Sequence, residues 1–304
     1  MSIEAAADIL RAGGLVVFPT ETVYGLGCDA ANPHAVARVF EAKGRPRFNP
    51  LIAHVLGIAE AERHAHFHPK ARALAEAFWP GPLTLVARRR GDSNVSELAC
   101  AGLATIALRA PAHRIARALL EAFGGPIAAP SANRSGHVSA TTAAHAAADF
   151  GGAVDLVLDG GPCELGLEST IIAVDDSGRA TLLRPGAIAR EAIEAVSGPL
   201  AAHVGAIEAP GMLASHYAPR ARLRLDAAAP REGEAYLAFG TEAPPGGLTL
   251  SARGDIVEAA ANLYAHLRAL DATGVAHIAV APIPARGLGE AIRDRLARAA
   301  APRG

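Results

Sequence analysis

Short apolar runs alternate with amphipathic stretches along the first part of the chain. The runs have the length of buried strands, whereas the stretches between them repeat apolar residues at helical spacing. Predicted strands lie at 15–18, 51–55, 83–87, 105–108, 127–129, 156–158, 170–174 and 181–183. Predicted helices lie at 34–42, 71–78, 112–123 and 140–150. Because strands outnumber helices and some follow one another directly, the pattern predicts an α/β fold with a mixed sheet.

The regular pattern lapses between residues 197 and 219, where glycine and proline punctuate the chain. We interpret this stretch as an ordered linker without helix or strand. Strand patterns then return at 223–225, 235–239, 248–251 and 277–281, with helices at 256–270 and from residue 288 onward. The sequence thus predicts a first domain over 1–196, a linker over 197–219 and a small α/β domain over 220–304.

The composition is that of a folded globular protein, since 51% of the 304 residues are hydrophobic and 19% are charged. No apolar run reaches the roughly 18–20 residues that cross a bilayer. The amphipathic N-terminus contains Glu4 and Asp8, which a signal peptide would not. Three widely spaced cysteines fit neither a disulfide framework nor a zinc knuckle. We therefore expect a cytoplasmic protein with no membrane partner.

The net charge of −1 provides no global field for nucleic acid, so any polyanion site must be local. The best candidate is the loop 43–51, which places Lys43, Arg45 and Arg47 between a helix and a strand. Like charges so close repel one another unless an anion neutralises them, and the arginine fork matches a phosphate. Two prolines restrain the loop backbone. On this segment alone, a polyanion-binding loop and a solvated basic turn are equally good interpretations.

Other polar segments follow predicted strands, at the strand ends where α/β folds build ligand sites. Residues 19–27 combine two threonines, Glu21 and Tyr24 with paired glycines, and residues 128–136 supply small residues, a hydroxyl and an amide. Arg109 ends a strand, where its guanidinium could hold a carboxylate in two-point contact. Taken alone, each segment has a plainer interpretation: a capped turn, a tight turn and an arginine in solvent.

Several familiar catalytic patterns are absent from the sequence. There is no Walker A motif, no Gly-x-Gly-x-x-Gly, no Gly-x-Ser-x-Gly and no identifiable Ser-His-Asp order. His64, His66 and His68 lack the helical spacing and the nearby carboxylate of zinc sites, so we place them on the surface. We expect no metal ligands among the site residues.

Five segments, taken together and in order, closely resemble the YrdC-like family: 19–27, 43–51, 130–133, 169–172 and 184–186. The linker and the C-terminal region resemble the longer members of that family. The resemblance implies a twisted mixed α/β sheet around a large basic cavity, followed by a small Rossmann-like α/β domain.

The resemblance also implies an activity, that of an L-threonylcarbamoyladenylate synthase of the nucleotidyltransferase class. Such an enzyme condenses L-threonine, bicarbonate or CO2, and ATP into threonylcarbamoyl-AMP and pyrophosphate. Partner proteins would then transfer the threonylcarbamoyl group to tRNA, and a weak contact with RNA would be compatible with this role. ATP chemistry normally implies Mg2+. The alternative from another class is an RNA-binding module of the same fold, which the net charge of −1 disfavours.

Site residues are carried over from the family onto matching positions of this sequence. Lys43 and Arg45 would serve catalysis by contacting the ATP phosphates. The full ATP site would comprise Lys43, Arg45, Asn49, Thr105, Ser131, Ser139, Arg184 and Tyr217. The threonine site would comprise Thr22, His54, Arg109 and Ser169, with Arg109 on the carboxylate.

Overall fold

The computed structural model describes residues 2–203, 209–212 and 215–302. The helices are α1 Ile3–Arg11, α2 Pro33–Lys43, α3 Ile58–Ala61, α4 Pro69–Phe78, α5 Arg114–Phe123, α6 Ala143–Phe150, α7 Arg190–Ser197, α8 Ile256–Ala272 and α9 Leu288–Ala300. The strands of the first part are β1 Val16–Phe18, β2 Gly25–Asp29, β3 Ile52–His54, β4 Ala65–His66, β5 Leu83–Arg89, β6 Thr105–Arg109, β7 Ile127–Ala128, β8 Leu156–Val157, β9 Thr170–Val174, β10 Ala180–Arg184 and β11 Ala201–Ala202. Those of the second part are β12 Arg222–Arg224, β13 Glu234–Ala238, β14 Leu248–Thr249 and β15 His277–Val280.

The strands of the first part form one large mixed sheet in the order β11-β10-β9-β5-β6-β3-β7-β2-β1-β8, with β4 beside β5. Four neighbouring pairs run parallel, namely β1–β8, β3–β6, β5–β9 and β10–β11. The other pairs, such as β5–β6 and β9–β10, run antiparallel. The predicted mixed α/β sheet is confirmed.

The second part is a small all-parallel sheet in the order β12-β15-β13-β14. Leu237 and Val280 belong to the same buried cluster as residues of α8 and α9, so the helices cover that face of the sheet. Helix α8 begins where Asp255 accepts hydrogen bonds from the amides of Val257 and Glu258. The predicted strands and helices of this region are confirmed. The domain boundaries at 196/197 and 219/220 stay a prediction.

Helix α2 ends at the basic loop, and its two caps explain why. The Asn32 side chain accepts hydrogen bonds from the amides of His34 and Ala35, and Pro33 occupies the first turn. At the other end Gly44 adopts a left-handed conformation with φ 59°, which glycine tolerates without a steric penalty. Lys43 is therefore the last residue of the helix, and the loop turns away from it towards β3.

Three features differ from the sequence predictions. Residues 25–29 form strand β2, where no strand was predicted. A Cβ on Gly27 would lie 2.7 Å from the Phe18 ring, so the glycine allows this ring to pack closely against the strand. The stretch predicted as linker contains β11, which pairs with β10. His64 is buried rather than on the surface, with Nδ1 3.2 Å from the Ser93 hydroxyl.

None of the helices within the described ranges is long and apolar enough to cross a membrane.

Candidate active site

A cavity opens where β3, β6 and β10 end and where the segments before β2 and β9 approach Pro210, Gly211, His216 and Tyr217. Water-sized molecules can occupy about 50 Å3 of it. Its lining includes Thr22, Arg45, His54, Arg109, Ser131, Glu168, Ser169, Arg184, Gly211, His216 and Tyr217. Most of these side chains are charged or polar, which is unusual for so buried a place.

Lys43 and Arg45 are both buried, and Arg45 lines the cavity. The Lys43 ammonium donates hydrogen bonds to the backbone carbonyls of Ser131, at 2.5 Å, and Asn133. Arg45 donates to the carbonyls of Asn49, at 3.1 Å, and Pro50, at 2.9 Å. Burial, with each cation near the other, holds the pKa of Lys43 well below its ordinary value. Burial also lowers the pKa of Arg45 to about 10.

Arg184 reaches the cavity from the end of β10. Its guanidinium donates to the carbonyl oxygen of Ser169 at 2.9 and 3.2 Å, to the Ser169 hydroxyl at 3.1 Å and to the Pro210 carbonyl at 3.3 Å. Burial lowers its pKa. The hydroxyl of Ser169 also lies 2.7 Å from that of Thr84, so two neighbours hold the serine in place.

Carbonyl and hydroxyl oxygens accept the hydrogen bonds that Lys43, Arg45 and Arg184 donate. Within the described ranges, none of the three forms a salt bridge with a carboxylate. We call them the unpaired cations. A buried charge that only neutral groups solvate is costly, and a bound anion would relieve that cost.

Arg109, at the end of β6, is paired. Its guanidinium contacts the Glu21 carboxylate at 2.5 Å and the Thr22 hydroxyl at 2.9 Å, and both charged groups are buried. Glu21 also accepts hydrogen bonds from the amides of Ala112 and His113, which lead into α5. Burial favours the neutral acid, but Arg109 outweighs it and the pKa of Glu21 is lowered.

His54 stands beside Arg109 because β3 and β6 pair in parallel register, with His54 opposite Arg109. Its ring packs edge-on against Phe18, with the ring centroids 6.0 Å apart. Burial first, and the Arg109 charge second, lower the pKa of His54 to about 3. The imidazole is therefore neutral near pH 7 and can exchange hydrogen bonds without adding charge.

Tyr217 enters the cavity from the predicted linker with its backbone in a left-handed conformation, φ 62°. Its ring stacks on Tyr264 at a centroid distance of 5.9 Å, and the Arg295 guanidinium lies 5.0 Å from the ring centroid. A Cβ on Gly211 would lie 2.6 Å from the Tyr217 hydroxyl oxygen, so the chain at 211 folds closely around the tyrosine. The linker thus fills much of the site.

Eight of the predicted site residues line this cavity: Thr22, Arg45, His54, Arg109, Ser131, Ser169, Arg184 and Tyr217. Lys43 lies behind Ser131, whose carbonyl it contacts. Asn49 is fully buried in the basic loop, and its amide group has no hydrogen-bond partner among the described residues. Thr105 lies at the opposite end of β6 from Arg109, paired with Arg88. Ser139 is buried against Glu168. The roles assigned to these residues stay predictions.

The sequence reasoning missed Glu21 and Glu168 as charge partners. Glu168 accepts hydrogen bonds from Ser139, Tyr264 and Arg295, the last two from the second part of the chain. Glu21 lies inside the segment 19–27, and Glu168 directly precedes the segment 169–172. That adjacency was the available signal; the partners themselves are distant in sequence.

The chain is similar to known proteins over nearly its whole length. Residues 8–186 match the Sua5, YciO and YrdC family model, described as telomere recombination, and residues 188–301 match the model of the threonylcarbamoyl-AMP synthase C-terminal domain. A threonylcarbamoyl-AMP synthase of Pyrococcus abyssi is 42% identical over 98% of this chain and 93% of its own length. One of Bacillus subtilis is 40% identical over 98% of this chain and 92% of its own.

Solved structures show the same likeness. The crystal structure of P. abyssi Sua5 complexed with L-threonine superposes with a TM-score of 0.90 at 40% identity, covering 98% of this chain and 94% of that one. E. coli YciO superposes with a TM-score of 0.54 at 25% identity, covering 60% of this chain and 88% of that one. The chain therefore belongs to the Sua5, YciO and YrdC family, in the long form that carries the C-terminal domain of the threonylcarbamoyl-AMP synthases.

Proposed function

We propose that this protein condenses L-threonine, bicarbonate or CO2, and ATP into threonylcarbamoyl-AMP, with release of pyrophosphate and, when bicarbonate is the carbon source, of water. The predicted activity, a nucleotidyltransferase that makes threonylcarbamoyl-AMP, is confirmed by relatives of that name that span the chain. The participation of bicarbonate and the assignment of residues to each substrate are our proposal.

The observation that carries the assignment is the group of unpaired cations, Lys43, Arg45 and Arg184. Attack at the α-phosphorus of ATP builds negative charge on that phosphate and on the departing pyrophosphate. Buried cations that are already oriented stabilise this charge without reorganising, and they act most strongly where water is excluded. We assign the triphosphate to these three residues and the catalytic contacts to Lys43 and Arg45.

We assign threonine to the part of the cavity that Arg109, Thr22 and His54 line, with Ser169 in the same lining. The Arg109 guanidinium has five N–H donors, of which the contacts to Glu21, Thr22 and the Gly81 carbonyl occupy only some. The remaining donors can hold the threonine carboxylate while Glu21 keeps the guanidinium in a fixed orientation. A relative of the family binds L-threonine, which supports this assignment.

The chemistry needs positioning more than it needs a side-chain nucleophile. The threonine amine adds to CO2 with loss of a proton, or to bicarbonate with loss of water, to form a carbamate. A carbamate oxygen then attacks the α-phosphorus. The new P–O bond forms as the bond to the bridging oxygen of the β-phosphate breaks, and pyrophosphate leaves with that electron pair. Holding the carbamate and the triphosphate together in line makes the step effectively unimolecular. This account explains the absence of a catalytic triad from the sequence.

ATP requires more room than the described cavity offers, since about 50 Å3 is far below the roughly 300–1,000 Å3 of ordinary small-molecule pockets. The groups that occupy the space are Tyr217 and the chain at Pro210 and Gly211, which also contacts Arg184. We therefore propose that these linker residues move outward when ATP binds, and that Tyr217 then covers the nucleotide. Mg2+ would arrive as the counter-ion of the triphosphate.

The alternative, an RNA-binding module, requires cations on an exposed stripe that can track a phosphate backbone. Lys43, Arg45 and Arg184 are instead less than one-tenth exposed. A buried group of cations suits a small polyanion that the protein encloses. Transfer of the threonylcarbamoyl group to tRNA by partner proteins remains part of the proposal.

The decisive experiment is to incubate the purified protein with ATP, L-threonine and bicarbonate, omitting each in turn. Pyrophosphate release is followed together with the nucleotide product by mass spectrometry. We expect pyrophosphate only when all three are present, together with threonylcarbamoyl-AMP. Pyrophosphate without threonine, or an adenylate that carries no threonylcarbamoyl group, would refute the proposed reaction.

A further inference from the structure

The carboxylate of Glu168 joins the active-site cavity to the second part of the chain. Glu168 itself lines the cavity and is 5% exposed. One of its oxygens accepts a hydrogen bond from the Ser139 hydroxyl at 2.5 Å. The other accepts from the Tyr264 hydroxyl and from Arg295 Nε, each at 2.8 Å. Tyr264 lies on α8 and Arg295 on α9, so the C-terminal unit supplies two of its three partners.

Arg295 is almost completely buried, with 1% of its surface exposed. Besides Glu168, it contacts Asp294 at 2.6 Å and donates to the Pro185 carbonyl at 2.8 Å, next to Arg184. Burial opposes the ionisation of Glu168, but Arg295 first and Arg184 second lower its pKa to about 2. The carboxylate is therefore charged, and it feels both a paired arginine and one of the unpaired cations.

Close backbone packing fixes the segment that carries Glu168. Gly166, at φ 67°, lies against α8, where a Cβ would stand 2.5 Å from the Ala261 carbonyl oxygen. On the other side Gly186 packs so tightly that its Cβ would stand 2.4 Å from the backbone of Ser169 and Thr170. The segment 166–170 is thus held between the C-terminal unit and the end of β10. It cannot shift without moving Ser169, whose carbonyl and hydroxyl accept hydrogen bonds from Arg184.

We propose that Arg295 and Tyr264 are positioning residues of the active site: by holding the Glu168 carboxylate away from Arg184, they keep Arg184 available for the triphosphate. On this reading the C-terminal unit completes the nucleotide site rather than being only appended to it. The inference rests on the proposed function for the identity of the nucleotide.

The physical reason is competition between two cations for one buried carboxylate. Without Arg295, Arg184 is the strongest remaining positive charge that acts on Glu168, so the two would pair. That pairing would draw the guanidinium from Ser169 and neutralise a charge meant for phosphate. Removing the carboxylate as well would abolish the competition, so a second substitution at Glu168 should restore part of the loss.

The test measures KM for ATP, KM for L-threonine and kcat in the full chain for Arg295→Met, Arg295→Lys, Tyr264→Phe and the double variant Glu168→Gln/Arg295→Met. We expect Arg295→Met to raise KM for ATP at least tenfold and Arg295→Lys to raise it less. Tyr264→Phe should give a rise of a few fold. The double variant should recover much of the ATP affinity that Arg295→Met loses, which a merely structural role would not produce.

Glu290→Gln is the matched control, because Glu290 lies on the same helix α9 and pairs with Arg190 of α7 at 2.5 Å, outside the cavity. It removes a charge contact between the same two parts of the chain and should leave KM for ATP unchanged. If Arg295→Met does not fold, the milder Arg295→Lys and Tyr264→Phe decide. Wild-type ATP affinity in both, or an equal rise in Glu290→Gln, would overturn the inference.

Binding of a fluorescent trinitrophenyl-ATP, displaced by ATP, separates this inference from the proposed function. A wild type that binds ATP but forms no threonylcarbamoyl-AMP would refute the reaction, and the binding series would still test Arg295. A wild type that forms the product while the Arg295 variants bind ATP normally would refute only the positioning role. A wild type that binds no ATP would overturn both.

Discussion

The two kinds of buried cation around the cavity are solvated in different ways. Arg109 and Arg295 each meet a carboxylate, Glu21 at 2.5 Å and Glu168 at 2.8 Å, and both ion pairs are buried. Lys43, Arg45 and Arg184 meet only carbonyl and hydroxyl oxygens among the described residues. Carboxylates of the protein neutralise the paired arginines, whereas the charges of the unpaired cations stay available for a bound anion.

This difference indicates where a substrate's charge belongs. An ion pair that is complete within the protein fixes geometry, because its partners would lose several kcal/mol if they separated. A cation held by neutral dipoles has its donors satisfied but its charge uncompensated, so an incoming anion gains the full interaction. The unpaired cations are thus suited to the triphosphate, and the paired arginines to the orientation of smaller groups such as the threonine carboxylate.

The largest effect on activity should come from replacing one of the unpaired cations. Lys43→Ala should lower kcat/KM for ATP by about 10²–10³-fold, because a charge that stabilises the transition state is lost. The fold should persist, since among the described residues the Lys43 ammonium forms no ion pair and donates its hydrogen bonds to two backbone carbonyls. Steady-state pyrophosphate release measures the loss, and circular dichroism checks the fold. The matched control is Lys70→Ala on α4, the other lysine of the chain, which should behave as wild type. Full activity in Lys43→Ala would exclude Lys43 from the mechanism.

On the paired side, Arg109→Lys should raise KM for L-threonine far more than KM for ATP. The lysine keeps a positive charge beside Glu21 but loses the two-point contact, which we expect to cost about 1.5–3 kcal/mol, roughly tenfold to a hundredfold in threonine affinity. Initial rates at varied threonine and varied ATP give both constants from one protein. An equal rise in the two would contradict a contact with the threonine carboxylate.

The neutral imidazole of His54, which lies opposite Arg109, gives a prediction for stability. The pKa of His54 is about 3 in the folded protein against an ordinary value near 6.5, so the unfolded chain binds the extra proton between these values. The free energy of unfolding should therefore fall as the pH drops below 6.5, with His54 contributing about 1.4 kcal/mol per pH unit. Urea unfolding at pH 7, 6 and 5 should show a shallower slope in His54→Gln. Identical slopes would show that His54 does not carry this dependence.

The sequence indicated the basic loop that carries Lys43 and Arg45, but it did not indicate the carboxylate partners of Arg109 and Arg295. The reason is physical. Lys43 and Arg45 belong to one loop whose cap, prolines and charge density are local properties. The partners of Arg109 and Arg295 lie 88 and 127 residues away along the chain, so their pairing exists only once the strands and the C-terminal unit have packed. Glu168 was visible beside Ser169 but could not be recognised as a charge partner.

The secondary structure shows the same limit. The amphipathic helices and β-branched strands were predicted because their patterns are local. Strand β2 was missed because its glycines at positions 25 and 27 are typical of turns, and only the packing of the Phe18 ring explains them. Strand β11 consists of two alanines, which carry no strand signal of their own and pair with β10 through the backbone alone.

The smallest effect should come from an exposed arginine, and it tests whether burial defines the site. Arg88 pairs with Asp176 at 2.9 Å, with 55% and 64% of the two side chains exposed, near the end of β5. Water and salt screen such a pair, so Arg88→Ala should change the free energy of unfolding by no more than about 0.5–1 kcal/mol. Because solvent already neutralises its charge, KM for ATP should stay at the wild-type value, which the same pyrophosphate assay measures. A rise in KM comparable to that of an unpaired cation would mean that ATP is drawn by the number of arginines rather than by the cations that the fold has buried.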